Sequence, residues 1–228
     1  MSGISFSPLG DRAVIIRLGS SIDEATHRRV RAVCARLDAQ PIPGVVEYVP
    51  AFASVAVHYD PATNAYARMT ELLDAELVHL EDEGLPPART VEIPVCYGGE
   101  FGPDLDDVAR HHALTADEVV RIHTGGDYLV HMIGFAPGFP YLGGLPERIA
   151  TPRRREPRTL VPAGSVGIGG SQTGVYPIAS PGGWQLIGRT PLTLFSPERD
   201  VPALLRAGDR VRFRAISRDE FLAWDADA

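Results

Sequence analysis

Residues 159–195 read TLVPAGSVGIGGSQTGVYPIASPGGWQLIGRTPLTLF. Apolar runs of a few residues, TLV, SVGI, GVYPIA, WQLI and LTLF, alternate with glycine and proline. None is long enough for a helix, and the punctuation recurs too often for a βαβ unit. Many short strands broken by Gly and Pro predict a β-barrel or sandwich. The pattern extends outward. DYLVHMIGF (127–135) and DRVRFRAI (209–216) read as further strands, and VEIPVCY (91–97) as the strand that opens the region. Asp104 is placed as a helix N-cap. Thr115, with Glu118 three residues on, predicts a capping box for a helix ending near Thr124. SRDEFLAW (217–224) predicts a terminal helix capped by Ser217.

The first eighty residues have a different texture. ISFSPLG and DRAVIIRL read as strands joined at Gly10-Asp11. Ile22–Gln40 reads as a helix with Val30, Val33, Cys34 and Leu37 on one face. VVEYV and SVAVHY follow as strands, and Asp60-Pro61 is expected to open a second helix with Met69, Leu72, Leu73, Leu77 and Leu80 as its stripe. The β-β-α-β-β-α order predicts a small two-layer α/β domain over 1–84, GLPPART (84–90) a linker, and 91–228 the second domain. The fold class expected is α+β.

Composition narrows the chemistry. The net charge is −7, which speaks against nucleic acid as a main partner. All 22 basic residues are arginine, so a P-loop lysine, a Schiff base and a lysine general base are excluded. No run approaches the ~18 apolar residues of a membrane helix, and no basic region precedes an apolar run at the N-terminus. A cytoplasmic protein with no membrane partner is expected. Cys34 and Cys96 lie in apolar stretches and read as buried thiols rather than a disulfide. His111, His112, His123 and His131 lack metal-ligand spacing, so no metal site is expected. His123, ending a helix, reads as a cation on the helix dipole.

Three stretches remain as candidates for a site. GFAPGFPYLGGLP (134–146) holds four glycines, three prolines and three aromatics without one charge. Its prolines make it a poor helix and a poor ladder strand, so it reads as a stiff apolar loop, either a pocket wall or subunit seam or a buried plug. Arg153, Arg154, Arg155 and Arg158 read either as a solvated patch near Glu156 or as a carboxylate or phosphate clamp. Gly164, Gly167, Gly169 and Gly170 do not match the dinucleotide fingerprint and suit the bends of a small barrel.

GFAPGFPYLGGLP, TPRRREPRTLVPAGSVGIGGSQTGVYP (151–177) and SPGGWQLIGRTPLTLF (180–195) together resemble the KipI / allophanate hydrolase subunit 1 family, most nearly its bacterial 5-oxoprolinase B subunits. The resemblance is strong over 91–215, and GDRAVIIRLG (10–19) fits the family's N-terminal strand. It implies a small α/β domain followed by a cyclophilin-like β-barrel. It also implies a component of a larger enzyme. Its partners there are a homologous barrel protein, the C subunit, and a third protein, the A subunit. Together they cleave 5-oxoproline to glutamate with ATP hydrolysis. ATP, with Mg as counter-ion, is expected at a site shared between chains. Other branches suggest a histidine kinase inhibitor or a carboxyltransferase of urea degradation. For a ligand with one carboxylate and one lactam, the residues expected to bind are Arg189 as cationic fork, and Arg153. Gln172 and Gln185 are the expected amide partners, with Tyr176 as the wall. Gln185 is preferred to Trp184 because strand alternation puts it on the face of Arg189. Phe135, Phe139 and Tyr141 are expected at a partner seam or pocket wall. No catalytic residue is assigned.

Overall fold

The computed structural model describes residues 4–21, 23–77 and 88–224. The chain divides into two compact units, Met1–Pro87 and Ala88–Ala228.

The first unit is a four-stranded antiparallel sheet in the order β1-β2-β4-β3, built from β1 (Ser5–Pro8), β2 (Ala13–Arg17), β3 (Val45–Pro50) and β4 (Ser54–Tyr59). Alternation sets the buried face: Val14 and Ile16 of β2 and Val55 and Val57 of β4 are fully buried. Helices α1 (Glu24–Ala39) and α2 (Tyr66–Leu77) cover that face with Val30, Val33 and Leu37, and with Met69, Leu73 and Leu77. Asp23 caps α1, accepting from the Thr26 amide at 2.7 Å. Asp60-Pro61 does not open α2. The Asp60 carboxylate instead accepts from the Ala62 amide at 3.0 Å in a turn, and the helix starts at Tyr66. Leu80 and the start of the expected linker fall outside the described residues.

The second unit is a closed seven-stranded barrel in the order β10-β7-β6-β13-β5-β12-β9. Its strands are β5 (Thr90–Tyr97), β6 (Tyr128–Ile133), β7 (Pro140–Gly143), β9 (Ser165–Gly169), β10 (Gln172–Val175), β12 (Gln185–Arg189) and β13 (Arg210–Ala215). β8 (Arg158–Val161) and β11 (Ser180–Gly182) form a separate ribbon. The barrel is filled by inward Ile93, Val95, Val130, Leu142, Val166, Ile168, Val175, Ile187 and Val211, so it is a packed core and not a channel. Helices α3 (Leu105–His111) and α4 (Ala116–Thr124) and the short α5 (Arg218–Leu222) complete the unit. Thr115/Glu118 and Ser217/Glu220 form both expected capping boxes.

LTLF is not a strand: only the single bridge Phe195↔Ala203 forms there. Pro191, Pro197 and Pro202 on its flanks remove the amides a ladder needs. Conversely, four residues of the stiff apolar stretch form a strand. Pro140 sits at the first position of β7, where a missing donor is tolerated, and Pro140–Gly143 pairs with β6.

Candidate functional site

A cavity of about 200 Å³ lies on the outside of the barrel, between the 134–139 loop, the arginine-rich segment and β11. Its floor exists because β9 carries glycines where other strands carry side chains. A Cβ on Gly169 would stand 2.6 Å from the Trp184 indole, and one on Gly167 3.1 Å from the Trp184 Cβ. The indole therefore lies flat on the strand, 5% exposed. Phe139 packs edge-to-face on Trp184 (5.6 Å), Tyr176 (5.4 Å) and Tyr141 (5.1 Å). Such pairs contribute about 0.5–1.5 kcal/mol each beyond burial. Gly182 brings the ribbon against the Tyr176 hydroxyl, where a Cβ would meet it at 2.4 Å.

Phe135 projects from the same loop. The Ala136 amide donates to the Gly134 carbonyl at 2.8 Å, closing a three-residue turn around Phe135. This holds Phe135 at φ +67°, and it is 65% exposed. A positive φ on a bulky residue costs about 1–3 kcal/mol and persists where surrounding structure enforces it. Phe135 also reaches Phe139 (5.3 Å) and Tyr176 (6.5 Å), so the aromatic wall extends into solvent.

The opposite wall is cationic. The Arg153 guanidinium stands 5.8 Å over the Trp184 ring, within cation–π range, and Arg154 lines the cavity beside it. Four ties hold this segment in place: Thr151 bridges Gly170, the Pro152 carbonyl accepts from Gln185 Nε2 at 2.9 Å, the Arg154 amide donates to Gly183 O at 2.7 Å, and Asp104 anchors its charges. Asp104 occupies the N-cap position of α3 without capping it. Its carboxylate is 2% exposed and accepts from Arg158 Nη2 (2.7 Å), Arg154 Nη1 (3.0 Å) and the Leu186 amide (2.7 Å). Two arginines against one carboxylate leave net positive charge here, to which Arg153 adds. Burial pushes the Tyr176 phenol up, against the pull of the Trp184 backbone, Arg153 and Arg158. It is a protonated donor at neutral pH.

The structure brings Tyr176, Arg153, Phe135, Phe139 and Tyr141 to one cavity, with Trp184 among them. It does not bring Arg189, Gln172 or Gln185 there. A bulge between Leu186 and Gly188 breaks the alternation that would align Gln185 with Arg189. Gln185 is spent on the Pro152 carbonyl. Arg189 lies in another cavity, donating from Nε to Ala163 O at 2.9 Å. Gln172 starts β10 opposite Gly169. Asp104 is expected from sequence only as a helix N-cap, and Arg154 only as one of four arginines read as a solvated patch or an anion clamp. Their signal is present, an acid before a helix and a dense arginine run, but the pairing spans fifty residues.

His123 is not a helix-end cation. It is fully buried, with Nδ1 2.7 Å from the Tyr97 hydroxyl and Nε2 3.0 Å from Thr173 Oγ1. Burial alone pulls its pKa down to about 3, so it is a neutral core residue. Both cysteines are free thiols: Cys96 is buried and Cys34 half-buried, with burial pushing the Cys34 thiol up to about 12. Among the described residues no group of three or more His, Cys, Asp or Glu is placed to hold a metal ion, and no helix is long and apolar enough to cross a membrane.

Comparison with known proteins places this geometry in a lineage. The family model described as "Carboxyltransferase domain, subdomain C and D" matches residues 4–205. The 5-oxoprolinase B subunit of Bacillus subtilis (strain 168) is 48% identical over 230 residues, 96% of each chain. The protein of the same description from Escherichia coli O157:H7 is 50% identical over 210 residues, 90% of this chain and 93% of that one. The crystal structure of TTHA0988 superposes with a TM-score of 0.82 at 38% identity, covering 90% of this chain but 40% of that longer chain. The chain therefore belongs to the carboxyltransferase domain C and D family, in the company of the 5-oxoprolinase B subunits.

Proposed function

We propose that this chain is the B subunit of an ATP-dependent 5-oxoprolinase, cleaving 5-oxo-L-proline to L-glutamate together with its A and C subunits in the cytoplasm. The observation that carries the reading is the 48% identity to a 5-oxoprolinase B subunit across 96% of both chains. The aromatic cavity is the proposed substrate pocket. Its volume of about 200 Å³ suits a single small ring. The flat wall of Trp184, Tyr176 and Phe139 receives the ring, Arg153 and Arg154 receive the carboxylate, and the Tyr176 hydroxyl donates to a lactam oxygen.

The cavity lining supplies binding and orientation without a base. Among the described residues it holds no carboxylate, histidine or thiol, so a proton acceptor must come from elsewhere. That supports activity in the complex only. ATP, with Mg as counter-ion, is co-substrate, and its chemistry is phosphorylation of the lactam oxygen. The family model's description favours a second reading, carboxyl transfer; release of glutamate, rather than carboxylation of an amide, separates the two.

The test is Arg153→Ala in the assembled enzyme. A lost charged hydrogen bond is worth about 1.5–3 kcal/mol. The variant should therefore lose about tenfold or more in kcat/KM for 5-oxoproline, chiefly through KM. Arg153→Lys restores part of it. An alanine variant with parental KM places the carboxylate elsewhere.

A further inference from the structure

GRTPLTLF (188–195) takes no part in the aromatic pocket, yet Arg189–Thr193 borders two other cavities. One has a volume of about 560 Å³ and the other about 390 Å³. They share Pro191, Leu192, Thr193 and Trp224 as lining, so they adjoin along one segment, and the two together are called the groove. In a chain of net charge −7, this groove is lined by Arg89, Arg189, Arg199 and Arg206 against one acid, Glu92.

The charges are not equivalent. Arg89 is bound to buried Asp209 (2.6 Å) and to the Leu204 carbonyl. Glu92 is engaged by Arg214 at 2.8 Å. Arg189 and Arg199 each hold only a backbone carbonyl, Ala163 O and Thr193 O, both at 2.9 Å. Neither meets a carboxylate within ion-pair distance among the described residues. Each guanidinium is thus fixed in direction with donors to spare, the condition that suits a multiply charged oxyanion. Arg206, 72% exposed and 3.7 Å from Asp209, stands at the rim. Trp224 lines both cavities and offers an indole to either.

We propose that this groove binds a nucleoside triphosphate, its phosphates held by Arg189 and Arg199 and its base by Trp224. In a chain without lysine, arginine is the side chain with a permanent positive charge to set against the phosphates. The groove has the several hundred Å³ such a ligand needs, and the aromatic pocket does not. The choice of ATP rests on the ATP-coupled reading above; the preference for an oligophosphate anion does not.

The experiment is calorimetric titration of the full-length chain with MgATP, in parallel with tripolyphosphate. Saturable ATP binding is expected, with tripolyphosphate weaker by about tenfold. Arg189→Ala and Arg199→Ala should each weaken ATP by about tenfold. Trp224→Leu should weaken ATP and leave tripolyphosphate unchanged, with melting curves confirming that the variants fold. The proposal is overturned by no saturable heat at millimolar ATP, by tripolyphosphate binding as tightly as ATP, or by both arginine variants binding like the parent. Failure here with ATP-driven glutamate release intact in the assembled enzyme would remove the groove and keep the 5-oxoprolinase reading. ATP binding without glutamate release would do the reverse.

Discussion

His123 shows what one buried residue does to the pH response. Unfolded, its imidazole titrates near 6.5; folded, burial holds it near 3. Between these values the unfolded chain takes up a proton that the folded chain refuses. Its contribution is therefore complete above about pH 6.5 and is lost as pH falls towards 3, by up to about 1.4 kcal/mol per pH unit. His123→Gln, which keeps a neutral polar group beside Tyr97 and Thr173, should flatten the melting temperature against pH below 6.5. Parallel profiles for parent and variant would contradict this. Its position at the end of α4 is legible in the sequence, but its burial is not. A helix-end histidine is a solvated cation or a core residue depending on what packs over it. Here Phe213 (4.4 Å between ring centroids) comes from the distant β13, and Tyr128 (5.4 Å) from the start of the next strand, β6.

At the scale of elements, locally encoded features can be read and those set by partners cannot. The Thr115 and Ser217 capping boxes need only residues three apart. The strands of the first unit follow from alternation. The bulge in β12 is invisible in sequence because register depends on β9, and it redirects Arg189. Asp104 carries the local mark of an N-cap but serves a tertiary purpose, fastening the segment that bears Arg153 and Arg154. Removing one partner of a buried ion pair costs about 3–5 kcal/mol. Arg154 and Arg158 are 35% and 23% exposed, so part of that penalty is relieved by water. Asp104→Ala should then cost about 2–4 kcal/mol, or about 6–12 °C in melting temperature. Asp104→Asn, still able to accept from the Leu186 amide, should cost less. A melting temperature for the alanine variant within a degree of the parent would show that the segment is held without it.

At the scale of the whole molecule, the aromatic cavity, proposed as the substrate pocket, is lined among the described residues by no carboxylate, histidine or thiol. The residues that surface from sequence as a site divide in space: Arg153, Tyr176 and the 135–141 aromatics line one pocket, and Arg189 another groove. Family resemblance picks out both motifs but cannot say that they face different cavities, because that follows from how the barrel closes. A stiff aromatic loop, with Phe135 held exposed at positive φ, loses little freedom when a ligand or a neighbouring protein docks on it. On the proposed function, a pocket without a base leaves the proton transfers to groups outside it, and the proposal assigns them to the partner subunits. The direct measurement is glutamate release from 5-oxoproline by this chain mixed with the A and C subunits, with each component and ATP omitted in turn. Release only when all three proteins and ATP are present is the predicted result; release by the chain alone, or an undiminished rate when it is left out, would contradict it.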